Sequence, residues 1–157
     1  MIKFLKQKKY LNIVIFLITM FFLLDRFLKT LSIKIEEDIV LIKNFLSFTF
    51  LPNKDISFSI PINSVFLKII LTLLIVVVIF NIFLSIKQNE KINFIAWWSI
   101  FLGAVSNLWD RITYSYVIDY LDLRFFTVFN LSDCLIFLGS VIVIMGVFKK
   151  DDNKILN

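Results

Sequence analysis

Four runs of uncharged, mostly apolar residues decide what this chain can fold into. Tyr10 to Leu24 holds 15 residues without a charge, Ile69 to Ile86 holds 18, Ile92 to Trp109 holds 18, and Asp133 is the sole charge from Phe125 to Phe148. A helix needs about 20 residues, range roughly 17 to 25, to cross the hydrocarbon core of a bilayer. The second and third runs reach that length, and the first and fourth reach it once a charge at one end is accepted. Helices are expected throughout, because an open sheet edge in lipid leaves backbone groups unpaired. None of the runs alternates with the period of two that a barrel strand requires. Composition agrees: 59% of the 157 residues are apolar, more than a soluble domain of this size can hide. The sequence therefore predicts an all-α membrane protein, one integral domain over residues 1–157, with spans at about 10–28, 65–86, 92–110 and 131–148 and outer segments at about 29–64 and 111–130.

Seventeen basic residues against twelve acidic ones give a net charge of +5, and their placement explains the excess. One side of the four spans collects Lys3, Lys6, Lys8, Lys9, Lys87, Lys91, Lys149, Lys150 and Lys154 against Glu90, Asp151 and Asp152. The other side is close to balanced. Basic residues gather on the cytoplasmic side of membrane proteins, so both termini are expected to be cytoplasmic, and the charge is a record of orientation that requires no nucleic acid. The basic N-terminus ahead of an apolar run also fits a secretory signal peptide. No small-residue cleavage pattern follows it, so an uncleaved first span is expected. The long outer segment holds both prolines, the cluster Glu36-Glu37-Asp38 and the Phe-rich stretch Leu46-Ser47-Phe48-Thr49-Phe50-Leu51, which predicts a small β-rich element on the membrane surface.

Ionisable and amide groups at the ends of spans carry a cost, about 2.5 to 3.5 kcal/mol at mid-depth and less at the interface. Asp25, Asn107, Asp110, Asp119, Asn130 and Asp133 all fall at the outer level of the expected topology. Asn107, Asp110 and Arg111 share one helix face by their spacing, and Asp25 with Lys29 and Asn130 with Asp133 are neighbours on theirs. Lys29 and Arg124, taken alone, read as interfacial anchors that reach toward headgroups. Asp119 and Asp133 do not fit that reading, since neither has a basic residue one helical turn away. Two carboxylates in one low-dielectric site share a proton, and such a pair can polarise water and protonate a leaving amine. This chemistry suits a chain with no His and a single Cys. Cys134 has no basic neighbour in sequence to activate it and reads as packing. A second class, a small proton- or cation-coupled transporter or channel subunit, would use the same acids as a relay, but a conduction path needs polar groups through the depth of the spans.

Gly103-Ala104-Val105-Ser106-Asn107-Leu108-Trp109-Asp110-Arg111, Val117-Ile118-Asp119-Tyr120 and Phe129-Asn130-Leu131-Ser132-Asp133, in that order, together closely resemble the motifs of bacterial lipoprotein signal peptidase, or signal peptidase II. The resemblance implies an intramembrane aspartyl endopeptidase of the bacterial inner membrane that cleaves lipid-modified prolipoproteins before the lipidated Cys, with Asp119 and Asp133 as the catalytic pair. It implies supporting roles for Asn107, Arg111, Asn130, Asn53, Asp25, Lys29 and Asp110, partners limited to prolipoproteins and membrane lipids, and no metal or organic cofactor. Uncharged spans two and three would offer an apolar groove to the substrate. Two departures stand out. The family's Asn-x-Gly-Ala-Ala-Phe segment reads Asn53-Lys54-Asp55-Ile56-Ser57-Phe58 here, and Ser132 stands where the family usually has Ala.

Overall fold

The computed structural model describes residues 2–54 and 64–155, with side chains over 10–54 and 64–148. Its elements in order are α1 (Ile2–Ser32), β1 (Ile39–Ile42), β2 (Leu46–Asn53), α2 (Ser64–Lys87), α3 (Lys91–Thr113), β3 (Val117–Leu123), β4 (Val128–Phe129) and α4 (Leu131–Ile155). Each helix holds a stretch long and apolar enough to cross a membrane: Tyr10–Ser32, Ser64–Lys87, Lys91–Thr113 and Leu131–Phe148. Large apolar side chains lie on the outside, among them Phe16, Phe21, Phe80, Phe83, Phe137 and Phe148. That placement is favourable when the solvent is lipid. Buried at the helix contacts are a few apolar side chains, such as Leu67, Ile75, Ile100 and Leu135, together with small and polar groups.

Helix α3 packs against the other three, most extensively against α4. Helix α2 offers it one stripe, Leu67, Ile75, Val78 and Ser85. The α3–α4 contact is close because glycines stand at the crossing points. A Cβ on Gly103 would lie 2.5 Å from the Ser132 carbonyl oxygen, and one on Gly139 would lie 2.6 Å from that of Ala96. Ser99 Oγ donates across the gap to the Leu135 carbonyl at 2.8 Å. Small residues and interhelical hydrogen bonds are what hold helices together where lipid removes the hydrophobic drive. This contact carries the two ends that bear Asn107 and Asp133.

The expected β element is present and larger than its predicted segment. Strands β1 and β2 come from the first connection, and β3 and β4, from the connection between α3 and α4, join them in one antiparallel sheet ordered β1-β2-β3-β4. Ser115 adopts the left-handed region (φ 67°) just after α3. The amides of Tyr114 and Ser115 bond back to Asp110 and Arg111 carbonyls, so the helix stops and β3 begins within three residues. Between β2 and β3 the register slips by one. Phe48 pairs with Leu121, but Leu51 pairs with Asp119 and Asn53 with Val117. Thr49 and Phe50 therefore stand together opposite Tyr120, a β-bulge. In an unbroken register Asp119 would face Phe50, and Asn53 would lie on the other face of the sheet. The bulge brings Asn53 and Asp119 to one face.

Gly139→Leu puts a branched side chain where no Cβ fits and is expected to destabilise by about 1–3 kcal/mol or more. Thermal unfolding in detergent measures it; a midpoint equal to the parent's contradicts this packing.

Candidate active site

The sequence Asn130-Leu131-Ser132-Asp133 opens α4 and forms a reciprocal capping box. Asn130 Oδ1 accepts the Asp133 amide at 2.9 Å, and Asp133 Oδ2 accepts the Asn130 amide at 3.3 Å. A helix leaves its first amides without internal partners, and pairing them here fixes the Asp133 carboxyl. Its other oxygen accepts Asn107 Nδ2 at 2.7 Å. Asn130 has a second task. Its Nδ2 donates to Asp119 Oδ1 at 2.6 Å, and Asn53 Nδ2 donates to Asp119 Oδ2 at 2.8 Å. Each oxygen of the two carboxyls therefore receives one N–H.

Two of these amide orientations follow from chemistry. Lys29 Nζ donates to Asn107 Oδ1 at 2.8 Å, and an ammonium cannot accept, so the NH2 of Asn107 must face Asp133. The Asp133 amide likewise holds Asn130 Oδ1, which turns the NH2 of Asn130 to Asp119. Asp119 is almost wholly buried. Burial pushes its carboxyl up to about 6; Asp133 nearby adds to the rise, while the amides of Asn53 and Asn130 and the charge of Lys29 pull against it. Arg111 lies near enough to Asp119, Asp133 and Asp110 to interact electrostatically with all three.

Beside the pair sits an ionic cluster in which Asp25, Lys29 and Asp110 are fully buried. Asp25 of α1 accepts Ser106 Oγ at 2.7 Å, Ser132 Oγ at 2.6 Å, the Ser132 amide at 3.2 Å and the Tyr120 hydroxyl at 3.0 Å, and it pairs with Lys29 at 3.3 Å. Lys29 reaches Asp110 Oδ2 at 2.7 Å. Asp110 also accepts from Arg26 and from the Ile118 amide. One carboxylate on α1 thus touches α3, β3 and α4, and one ammonium joins the two buried acids to Asn107.

The family model described as Signal peptidase (SPase) II matches residues 17–149. The chain belongs to the signal peptidase II family. It is a multi-pass bacterial membrane peptidase. A relative named lipoprotein signal peptidase from Clostridium tetani is 38% identical over 155 residues, covering 91% of this chain and 99% of that one. Another of that name from Buchnera aphidicola is 31% identical over 144 residues, covering 86% and 90%. Two solved bacterial membrane enzymes, each 23% identical, share the fold: one with a TM-score of 0.80 over 91% of this chain and 92% of its own, the other with 0.75 over 88% and 94%.

Within this signal peptidase II fold, Asp119, Asp133, Asn107, Asn130, Asn53, Asp25, Lys29 and Asp110 meet through the contacts above, with Arg111 beside them. The reading of Lys29 as a headgroup anchor is corrected. It is wholly buried, because two acids and an amide at the end of the bundle solvate it better than a partial reach to the interface. Arg124 does lie exposed, donating to Asn44 at a turn. Of the altered segment, Asn53 and Lys54 are described, and Asp55 to Phe58 lie outside the described residues. Four participants had no role assigned from sequence: Arg26, Tyr120 and the hydroxyls of Ser106 and Ser132. Arg26 is the residue after Asp25 and carries a charge at a span end, a signal that could have marked it. The three hydroxyls carry no such signal.

Lys29→Met leaves Asp25 and Asp110 buried without their shared cation. Breaking a buried pair from one side costs about 3–5 kcal/mol, so a clear fall in the detergent unfolding midpoint is expected; an unchanged midpoint contradicts the cluster.

Proposed function

We propose that this chain removes signal peptides from diacylglyceryl-modified prolipoproteins, cleaving before the lipidated Cys, with Asp119 and Asp133 as its catalytic pair. The observation that carries the reading is a charge balance. Asp25, Asp110, Asp119 and Asp133 make four acids, and Arg26, Lys29 and Arg111 make three cations in contact or close electrostatic reach. In a poorly solvated cluster the low-energy state is neutral, and neutrality here needs one proton. Asp25 and Asp110 spend their lone pairs on cations and donors within the cluster. The proton falls to the Asp119–Asp133 pair, which titrates as a unit.

A pair holding one proton does both halves of amide hydrolysis. The ionised carboxyl takes a proton from water as the oxygen attacks the scissile carbonyl. The protonated carboxyl donates to the carbonyl oxygen; as the C–N bond of the tetrahedral intermediate then breaks, the carboxyl that took the water proton gives it to the leaving amine, and a hydroxyl proton of the intermediate returns to the other carboxyl. Arg111 is placed to offset negative charge that develops there. The N–H donors from Asn53, Asn107 and Asn130 hold the two carboxyls in place. The relatives' name, lipoprotein signal peptidase, supports the substrate class. On the expected orientation the sheet end faces outside the cytoplasm, where a diacylglyceryl anchor would hold the scissile bond at the depth of these acids.

Asp119→Asn and Asp133→Asn are each expected to lower cleavage of a lipidated precursor by at least about 10²-fold, the lower range for loss of positioned acid–base catalysis, with membrane insertion intact. Retained cleavage in either contradicts the pair. Asn53→Ala tests the proton. Activity requires one proton on the pair and is lost as pH rises through the upper pKa. Asn53 donates to Asp119 and favours its ionised form, so removing it raises that pKa and moves the alkaline limb of kcat/KM to higher pH. A limb that stays or moves down contradicts the assignment.

A further inference from the structure

Tyr120 follows Asp119 on β3, and its side chain leaves the opposite face of the strand. It is completely buried, with its ring 5.6 Å from that of Phe48. The hydroxyl donates to Asp25 Oδ1 at 3.0 Å and accepts the Leu131 amide at 3.1 Å. Leu131 is the first residue of α4, two before Asp133. The first three amides of α4 are thus each taken by a different side chain: Leu131 by Tyr120 of β3, Ser132 by Asp25 of α1, and Asp133 by Asn130 just before the helix.

Resting on the peptidase reading above, we infer that Tyr120 is a positioning residue whose hydroxyl sets the separation of the Asp119 and Asp133 carboxyls. Strand β3 is joined to the start of α4 by its pairing with β4, which ends at Phe129, and by side chains on both faces of the strand. On one face the Asn130 amide donates to Asp119 and to the Ile118 carbonyl, and on the other the Tyr120 hydroxyl meets the Leu131 amide. Without the hydroxyl the second face loses its tie and the strand can tilt about the first, which changes the distance between the two acids. The hydroxyl, itself seated on Asp25, closes off that tilt. Burial, followed by the charge of Asp25, drives the phenol well above its ordinary range, so the hydroxyl keeps its proton across the working pH of the pair. The titratable groups around it are Asp25 and Lys29 on α1, Asp110 on α3, Asp119 on its own strand, and Asp133 with the Cys134 thiol on α4. Tyr120→Phe removes none of these groups but takes one donor from Asp25, so the pH profile is read together with kcat per folded molecule.

The test compares parent and Tyr120→Phe full-length protein in lipid-detergent micelles. A misplacement of about 1 Å at a reacting centre costs on the order of 10²-fold. The expected result is a kcat per folded molecule at least about tenfold lower, with KM within about twofold and the alkaline limb displaced. A second readout needs no substrate: the 13C titration of the Asp119 and Asp133 carboxyls, expected to shift in Tyr120→Phe. Unchanged kcat and titration overturn the inference. A fall in folded fraction alone, with kcat per folded molecule and titration unmoved, also overturns it and leaves Tyr120 as packing. If the parent fails to cleave lipidated precursor, the peptidase reading falls by itself and the titration decides Tyr120. If Tyr120→Phe does not fold, 3-fluorotyrosine in place of Tyr120, a stronger donor and weaker acceptor, is expected to move the same titration, and an unmoved one overturns the inference.

Discussion

A carboxylate with no water around it must be given donors by the protein, and in this fold Asp25 obtains them from three other elements. Ser106 of α3, Tyr120 of β3 and Ser132 of α4 all bond it, and Lys29 one turn along α1 supplies the charge. Leaving any of these donors out strands a buried ion, which is far more costly than any one hydrogen bond is favourable. The positions of α3, β3 and α4, which bear Asn107, Asp119 and Asp133, therefore depend on satisfying Asp25. In lipid this matters more than in water, because the apolar side chains gain nothing by leaving one another for the bilayer or the reverse. The helices are held by close glycine contacts and by this polar knot.

The two proposed catalytic acids are then aimed by ordinary backbone devices. A capping box, whose usual role is to end a helix cleanly, fixes Asp133, and its Asn also reaches Asp119. A one-residue bulge turns Asn53 to the face that Asp119 occupies. Both devices are local, and both act on groups that the cluster below has already brought together. On the proposed reading, the strain of the site is electrostatic: four acids with three cations, resolved by a single proton that the chemistry requires.

The four spans are legible in the sequence because lipid imposes length and apolarity on them without regard to tertiary detail. The polar layer is legible for the same reason, since Asp25, Asn107, Asp110, Asn130 and Asp133 are exceptions to an otherwise apolar pattern at span ends. Asp119 and the strand around it are harder to read. Val117–Leu123 is a seven-residue strand whose partner β2 lies across the sequence, so nothing local reports the pairing, and a one-residue slip in that pairing decides where Asn53 points. Lys29 misleads for a related reason. An i, i+4 pair at a span end looks the same whether it reaches for headgroups or closes a buried cluster, and only the arrival of Asp110 and Asn107 from α3 distinguishes them. Ser132 reads as a volume-preserving substitution for Ala, yet its hydroxyl makes one of the shortest contacts to Asp25. Tyr120 carries no charge that would mark it in the sequence, and its hydroxyl becomes informative only once Asp25 and the start of α4 stand beside it.

The central claim is that this polar layer hydrolyses one defined peptide bond in a lipid-anchored substrate. Incubating the purified parent protein in lipid-detergent micelles with a diacylglyceryl-modified prolipoprotein, and weighing both products by mass spectrometry, tests it most directly. The account predicts a signal peptide ending at the residue before the modified Cys and a mature fragment beginning with that Cys, with unlipidated precursor left whole. Intact lipidated precursor in the presence of folded protein, or a cut at any other bond, would contradict it.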